Sequence, residues 1–517
     1  MRVRHGKGTA SPAGPLACPA SHRGLSWSVM TAGERDTMDF RAIILPIGRL
    51  LIIVALFMIP PAIADLIEGN PDWIVFASSA TILVCVGALI SAALDRQEFK
   101  FRPRETFIFV NAAWLAFSFA GAIPLYASGI GLTMAEAFFE AASGLTTTGS
   151  TVLTGLDNMP PGILLWRSLL QWIGGIGIVV IGIWLLPGLR VGGSQLFAIE
   201  SSEKTSKPYG RIEPFILRLL SLYLLLTVFC GLLYYLAGMS AFNALAHALT
   251  TVSTGGFSTS DSSIAQFNSM AILWIAIVFM TLSSLPFLYL IKLAERRESP
   301  HPQQVRFFLL LILAVSFVLF IGVRNRVDAE PFALFTHAMF NVVSVVTTTG
   351  YASTDYLLWG NFAIVLFFLL TFVGGCSGST SGGFKIFRIQ ILLSSIRALL
   401  KRAVHPHRII EPRFSGAPVS PSVMEGVFVF SILYAGTFGV FAVIYAMIGL
   451  DLETAISASI TAQANVGPGI GPLIGPAGTF SQLPDSAKWL LGFQMILGRL
   501  ELIGGLLVFS PDFWRET

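Results

Sequence analysis

Charge is what this 517-residue sequence has least of: Asp, Glu, Lys and Arg make up only 12% of it, against 54% hydrophobic residues. A soluble chain of this length could not cover its surface with so little polar material, so the composition is that of a polytopic membrane protein. Cysteine is scarce too. Cys18, Cys85, Cys230 and Cys376 stand far apart with no CxxC spacing, which speaks against a disulfide framework and against a zinc site. Of the seven histidines, His5, His22, His301, His405 and His407 fall in a polar tail or in polar connections, so the convergent cluster expected of a membrane enzyme is missing. No GxxxxGK[ST] segment is present, and energy for any transport must come from an ion gradient, the membrane voltage or a partner. The net charge of +4 is not gathered into one patch, which leaves no electrostatic argument for nucleic acid.

Apolar runs long enough to cross a hydrocarbon core of roughly 30 Å recur from residue 42 to residue 509. Before them, residues 1–37 are rich in Gly, Pro, Ser and Arg and read as a disordered tail or a mis-assigned start, with Met30 and Met38 as alternatives. The first apolar run is not a signal peptide, because Pro60-Pro61 and a second span follow it instead of a small-residue cleavage site.

Two opening spans are expected at about 42–64 and 74–94. Four units then repeat at a period near a hundred residues, each an apolar span, a short apolar segment ending in Thr, Ser or Gly, and a second span. The fold class expected is therefore an all-α polytopic membrane protein with four tandem helix–pore-loop–helix units around one pore, preceded by two extra transmembrane helices. The boundaries read as a tail over 1–40, a two-helix unit over 41–104, and pore units over 105–212, 213–305, 306–420 and 421–517.

Orientation follows from the Lys and Arg content of the connections, since short basic loops stay in the cytoplasm. Connections 95–104, 189–212, 292–306 and 385–413 carry 4, 4, 4 and 7 such residues, whereas the alternate ones hold only Arg324 and Arg326. Both termini are thus expected in the cytoplasm, with the short segments opening outward into a vestibule rich in Asp and Glu that concentrates cations. Arg167 and Lys488, just inside the outer ends of their spans, are expected to snorkel to the interface.

The short segments end at Thr146-Thr147-Thr148-Gly149-Ser150, Ser253-Thr254-Gly255-Gly256-Phe257, Thr347-Thr348-Thr349-Gly350-Tyr351 and Asn465-Val466-Gly467-Pro468-Gly469. About a dozen helix-compatible residues precede each, enough to enter a bilayer by roughly 18 Å and stop near its middle. A re-entrant helix of this kind points a C-terminal end of about half a negative charge at the membrane centre, and the returning strand offers backbone carbonyls to a dehydrated cation. Glycine lets such a carbonyl face the axis without a side chain in the way. One TTTG is a weak signal; four glycine-bearing segments of this kind, always between two spans and always on the same side, are a pattern. A secondary transporter for an organic solute also uses broken helices, but its repeats tend to be inverted, and no charged cluster is present here to grip an organic headgroup.

From residue 40 to 517 the sequence resembles the Trk/Ktr/HKT superfamily of cation transporters, specifically the bacterial Trk-type membrane subunit. The resemblance rests on FFEAASGLTTTGST at 138–151, QWIGGIGIVV at 171–180, STGGFS at 253–258, TTTGY at 347–351, GGCSGSTSGGFK at 374–385, NVGPG at 465–469 and LGRLE at 497–501. It implies potassium uptake across the bacterial inner membrane, with sodium or mixed transport by the same architecture as the alternative. The implied filter comprises Thr147, Thr148, Gly149, Ser253, Thr254, Gly255, Gly256, Thr348, Thr349, Gly350, Asn465, Val466 and Gly467. The four ring glycines would be Gly149, Gly256, Gly350 and Gly467, with Gly255 the alternative in the second copy. Potassium is expected at Thr148, Gly149, Thr254, Gly255, Thr349, Gly350, Asn465 and Val466. Sodium-favouring members often have Ser at the first ring position, so Gly149 argues, by resemblance, for potassium.

Five glycines in the ten residues 374–383 should break the third unit's second helix. The resemblance makes 374–384 an intramembrane gating loop, implying gating roles for Gly374, Gly375, Gly378, Ser379, Gly382, Gly383, Lys385 and Arg499. Arg499 lies so deep in the last span that it needs a partner or a wet cavity; pairing with Glu501 is its plainer role, and a place at the pore below the filter is the one the resemblance implies. Nine residues before the ring glycines stand Glu140, His247 and Asn341, with Ala458 in the fourth copy, and these polar groups suggest braces behind the filter. Pro468 and the extra Gly255 suggest an asymmetric ring. The resemblance also implies a homodimer with one pore per protomer and a cytosolic nucleotide-binding (NAD/ATP) regulatory subunit docked on the basic inner loops. Coupling to protons stays open, because no membrane-depth carboxylate stands out as a carrier.

Overall fold

The expected succession of long apolar helix, short helix and long apolar helix is what the chain builds. The computed structural model describes residues 38–94, 102–184, 212–296 and 302–515, and residues 39–515 form one unit. The expected tail and the basic connections 95–104, 189–212 and 292–306 lie wholly or partly outside the described residues.

The opening pair is α1 (Phe40–Leu56) continued by α2 (Ile59–Glu68), then α3 (Trp73–Leu94). Unit one holds α4 (Pro103–Ala127), the short α5 (Met134–Leu145) and α6 (Pro161–Trp184); unit two holds α7 (Ile212–Leu236), the short α8 (Ala241–Val252), α9 (Met270–Ser283) and α10 (Phe287–Ala294). Unit three holds α11 (Pro302–Val323), the short α12 (Pro331–Val346), α13 (Asn361–Thr371) and α14 (Ile386–Val404). Unit four holds α15 (Pro421–Ile448), the short α16 (Leu452–Ala464), α17 (Asp485–Arg499) and α18 (Ile503–Leu506). Seven described helices are long and apolar enough to cross a membrane, and up to nine if each bent pair counts as one span. Large apolar side chains such as Leu224, Val228, Leu310, Phe317, Ile432 and Val443 point outward on α7, α11 and α15. An exterior of that kind belongs in hydrocarbon.

Three of the short helices begin on a side-chain cap: Thr133 accepts from Glu136 N, Ser240 from Asn243 N and Asp451 from Thr454 N. Pro331 opens the fourth, fixing φ where no N–H partner exists. Their interiors are apolar and buried, so the first unit's α5 packs against α4, α6 and α17.

Two spans expected to be continuous are broken. The helix expected over 270–293 bends by 99° between α9 and α10, and the one over 487–509 bends by 113° between α17 and α18. The first break falls at Ser284-Leu285-Pro286, where the proline cannot continue the helix, and Phe287 N donates instead to Gly378 O at 2.9 Å. At the second, Glu501 and Leu502 adopt φ of 58° and 54°. With the loop between α13 and α14, three of the four second spans break at related places.

Candidate functional site

Each short helix ends in the same turn. In the first, Thr148 N donates to Ser143 O and Thr147 N to Gly144 O; the same pair of bonds recurs at Gly255 and Thr254, at Thr349 and Thr348, and at Val466 and Asn465. This closure puts one residue in the left-handed region, and the chain places Thr147 (φ 55°), Thr254 (54°), Thr348 (57°) and Asn465 (55°) there. For β-branched threonine that conformation is strained by about 1–3 kcal/mol, and strain retained three times over marks a functional turn. Two residues later the φ is again positive, at Gly149 (85°), Gly256 (79°), Gly350 (86°) and Gly467 (105°). By this register the second unit's counterpart of Gly149 is Gly256, and Gly255 matches Thr148.

The four turns close on one another. A Cβ added to Gly149 would fall on Gly255 O, one added to Gly256 on Thr349 O, one added to Gly350 on Val466 O, and one added to Gly467 would lie 2.8 Å from Thr148 O. Each glycine thus abuts the carbonyl that precedes the glycine of the next unit, and the fourth returns to the first. Across that last seam Asn465 Nδ2 donates to Thr148 Oγ1 at 2.9 Å and Ser150 Oγ to Gly467 O at 2.7 Å. A cavity of about 290 Å³ lies against the ring, lined by all four glycines together with Asp261 and Arg167. The structure therefore brings together Thr148, Gly149, Thr254, Gly255, Thr349, Gly350, Asn465 and Val466, at the converging C-terminal ends of four helices. Ser253, the residue that caps α8, is buried just beneath.

Behind the ring, three of the four positions nine residues before the glycine hold the returning strand. Glu140 accepts from Val152 N (2.9 Å) and Thr151 Oγ1 (2.9 Å), His247 Nε2 meets Ser258 Oγ (3.0 Å), and Asn341 accepts from Ser353 N (3.2 Å). In the fourth unit, where Ala458 stands, the neighbouring Ser457 hydroxyl takes the Ile470 N–H instead. A second row of hydroxyls, absent from the sequence-based expectations, binds the carbonyl after the glycine: Ser143 to Ser150 O (2.6 Å), Ser344 to Tyr351 O (2.7 Å) and Thr461 to Pro468 O (3.0 Å).

Arg167 and Lys488 do not snorkel. Arg167 is 1% exposed and reaches inward to Glu140 (2.7 Å), Ser258 O (3.1 Å) and the face of Phe257 (4.1 Å to the ring centre), joining strands of units one and two. Lys488, also buried, pairs with Glu136 at 2.7 Å. Inward carboxylates hold both: Glu140 meets Arg167 and Glu136 meets Lys488, and removing either carboxylate would leave a buried charge uncompensated.

On the other side of the ring lies the loop 372–385. Gly382 N donates to Thr348 Oγ1 (2.7 Å), Thr380 Oγ1 meets Thr254 Oγ1 (3.1 Å) and Ser283 O (3.1 Å), and Ser381 Oγ donates to Ser284 Oγ (2.7 Å). Cys376 N is held by Ser284 O, and Gly374 N by Phe384 O. Ser379 Oγ donates to Cys376 O, and Lys385 Nζ, buried, to Ser381 O. Gly375 and Gly383 pack into the same fold of chain. Arg499 is 3% exposed and its guanidinium has no hydrogen-bond partner among the described residues. Glu501 is not its partner: that carboxylate pairs with Arg388 at 2.6 Å, across the gap between α17 and α14.

Among the described residues no group of three His, Cys, Asp or Glu is placed to hold a metal ion. The polar atoms the four turns bring together are carbonyl and hydroxyl oxygens, a donor set suited to hard, weakly held cations. Thr147 Oγ1 and Asn465 Oδ1 are buried in these turns without a hydrogen-bond partner among the described residues.

Residues 74–515 match the TrkH family, described as a cation transport protein. The chain is 41% identical over 485 residues to the Trk system potassium uptake protein TrkI of Halomonas elongata, covering 93% of this chain and 98% of that one. It is 35% identical over 490 residues to the Trk system potassium uptake protein TrkH of Escherichia coli, covering 93% and 100%. The crystal structure of the potassium transporter TrkH from Vibrio parahaemolyticus superposes with a TM-score of 0.85 at 34% identity, over 92% of this chain and all of that one.

Proposed function

This chain belongs to the TrkH family of cation transport proteins, and from that premise we propose that it takes up potassium through the ring of four turns, as the membrane subunit of a multicomponent Trk-type system. The observation that carries the reading is the closed succession of four left-handed glycines, each packed on the carbonyl of the next unit. Four helix C-termini, each worth about half a negative charge, make that ring favourable for a cation that has shed its water. The eight residues from Thr148 to Val466 named above supply the oxygens. The loop 374–384 lies directly beneath and must move for conduction, since its hydroxyls and amides are bonded to the filter turns. Arg499 sets a positive barrier there, at a depth where an unpaired charge is costly. The alternative of sodium transport has no observation in its favour: all four ring positions are glycine, and the relatives above carry potassium-uptake names.

The membrane is the bacterial inner membrane, with the basic connections and both termini in the cytoplasm and the 290 Å³ cavity opening outward. The regulatory partner is a cytosolic nucleotide-binding subunit that docks on those connections, and the transporter is a homodimer. The experiment is growth of a potassium-uptake-deficient bacterium at low potassium while expressing this chain, with radioactive-rubidium uptake measured alongside. Rescue that Gly350→Ser abolishes is expected. A well-inserted chain that rescues neither alone nor with a regulatory subunit overturns the reading.

A further inference from the structure

The second unit's filter strand is held differently from the other three, and the residue responsible lies in another unit. In units one, three and four a pore-helix hydroxyl (Ser143, Ser344 or Thr461) binds the carbonyl after the ring glycine. The matching hydroxyl of unit two, Thr250, is engaged with Ala246 O, His247 O and the Tyr351 hydroxyl, and makes no bond to Phe257 O. Gln171 on α6 holds this strand instead, through other backbone atoms. Its side chain is fully buried; Nε2 donates to Gly255 O at 2.6 Å and Oε1 accepts from Phe257 N at 3.0 Å, so one amide clamps both sides of Gly256.

The clamp acts on an atom that matters. Gly255 O stands in the same layer as Thr148 O, Thr349 O and Val466 O, the carbonyls that abut the ring glycines. Among the described residues it alone of the four accepts a side-chain hydrogen bond. A carbonyl that shares its lone pairs with an amide N–H offers a weaker field to a cation and is restrained from moving toward the axis. Weak field and fixed radius favour the larger, more easily dehydrated ion. Two glycines beyond Gln171 hold the helix close enough for this reach: a Cβ at Gly174 would strike Leu145 O, and one at Gly175 would lie 2.9 Å from Ser253 Cβ. α6 thus rests on the ends of two pore helices at once.

We infer that Gln171 is a positioning residue for ion selection, holding the second filter strand so that the ring prefers potassium over sodium. The inference rests on the proposed potassium uptake. Without the clamp, Gly255 O is free to turn its full field on the ion, and selection shifts toward sodium.

The test compares radioactive-rubidium and radioactive-sodium uptake by the full chain in cells, normalised to inserted protein, for the parent, Gln171→Leu, Gln171→Glu and Gln494→Leu. Gln494 is an equally buried glutamine that bonds Ser459 and Tyr445, not filter backbone, and controls for the loss of a buried amide. The expected result is a rubidium-to-sodium ratio lowered roughly fivefold in Gln171→Leu, the worth of one hydrogen bond, lowered also in Gln171→Glu, and unchanged in Gln494→Leu. A parental ratio in both Gln171 variants, or an equal fall in Gln494→Leu, overturns the inference while leaving potassium uptake intact. A parent that takes up no rubidium fails the functional reading instead.

Discussion

Serine at each ring glycine should damage transport unequally, in an order set by the room around each Cα. The left-handed backbone at these positions costs a residue with a Cβ about 1–2 kcal/mol. Where the Cβ also lands on the next unit's carbonyl, as at Gly149, Gly256 and Gly350, overpacking adds about 1–3 kcal/mol. The sum, about 2–5 kcal/mol, corresponds to a loss of the intact ring from roughly 30-fold to above 1,000-fold, at tenfold per 1.4 kcal/mol. At Gly467 the nearest atom is Thr148 O at 2.8 Å and the next lies at 3.4 Å, so a Cβ there still forces a backbone carbonyl to move, but by less than at the other three positions. Overpacking there adds only about 1 kcal/mol to the backbone cost, for about 2–3 kcal/mol in all, roughly 30- to 140-fold. Rubidium uptake per inserted protein should therefore fall least in Gly467→Ser. Equal losses at all four positions, or the largest at Gly467, would refute the idea that these glycines exist to let neighbouring carbonyls approach.

Other outcomes are as specific. Glu140→Gln leaves Arg167 buried with its ion pair broken and should destabilise the chain by about 3–5 kcal/mol, read as a lower melting temperature in detergent. Asn341→Ala strips the brace from Ser353 N and should cost about 1–3 kcal/mol in the same assay, with altered ion selectivity; unchanged selectivity counts against bracing. Thr380→Val removes the hydroxyl that ties the loop 374–384 to Thr254 and Ser283, so on the proposed gating role uptake without a regulatory subunit should rise; a fall would argue that the loop does not close the pore. Burial alone would raise the Glu136 carboxyl, but hydrogen bonds from the Lys488 ammonium and from Thr133 outweigh it and hold the group below its ordinary range. Its contribution is then present above the unfolded-state value and lost as pH falls through the lower folded one. The melting-temperature gap between the parent and Glu136→Gln should accordingly close at acid pH, and a gap that persists there contradicts the pairing.

Much of this architecture was legible because hydropathy and turn chemistry are local. The four glycine-bearing turns, the break at 374–383 and the polar residues nine positions before three of the four glycines could all be read from composition and spacing. The ring's closure could not, since which carbonyl meets which glycine depends on packing between units about a hundred residues apart. Hydropathy also ran straight through Leu285-Pro286 and Glu501-Leu502, because the chain is apolar on both sides of each break; Pro286 was the one local signal of the first. Arg167 read as an interfacial cation because its depth was visible and its partner, 27 residues earlier, was not. Gln171 carried a usable sign: a lone amide within an apolar span is costly unless it has a task. That task became visible only with the Gly255 carbonyl beside it.

The most direct test of the central claim is to locate the ion itself, by anomalous diffraction from crystals of the full chain grown in rubidium or thallium. One or more peaks on the axis enclosed by the carbonyls of Thr148, Gly255, Thr349 and Val466 are expected, weakened when potassium is added in excess. Peaks only elsewhere, with that ring empty at saturating ion, would contradict the account.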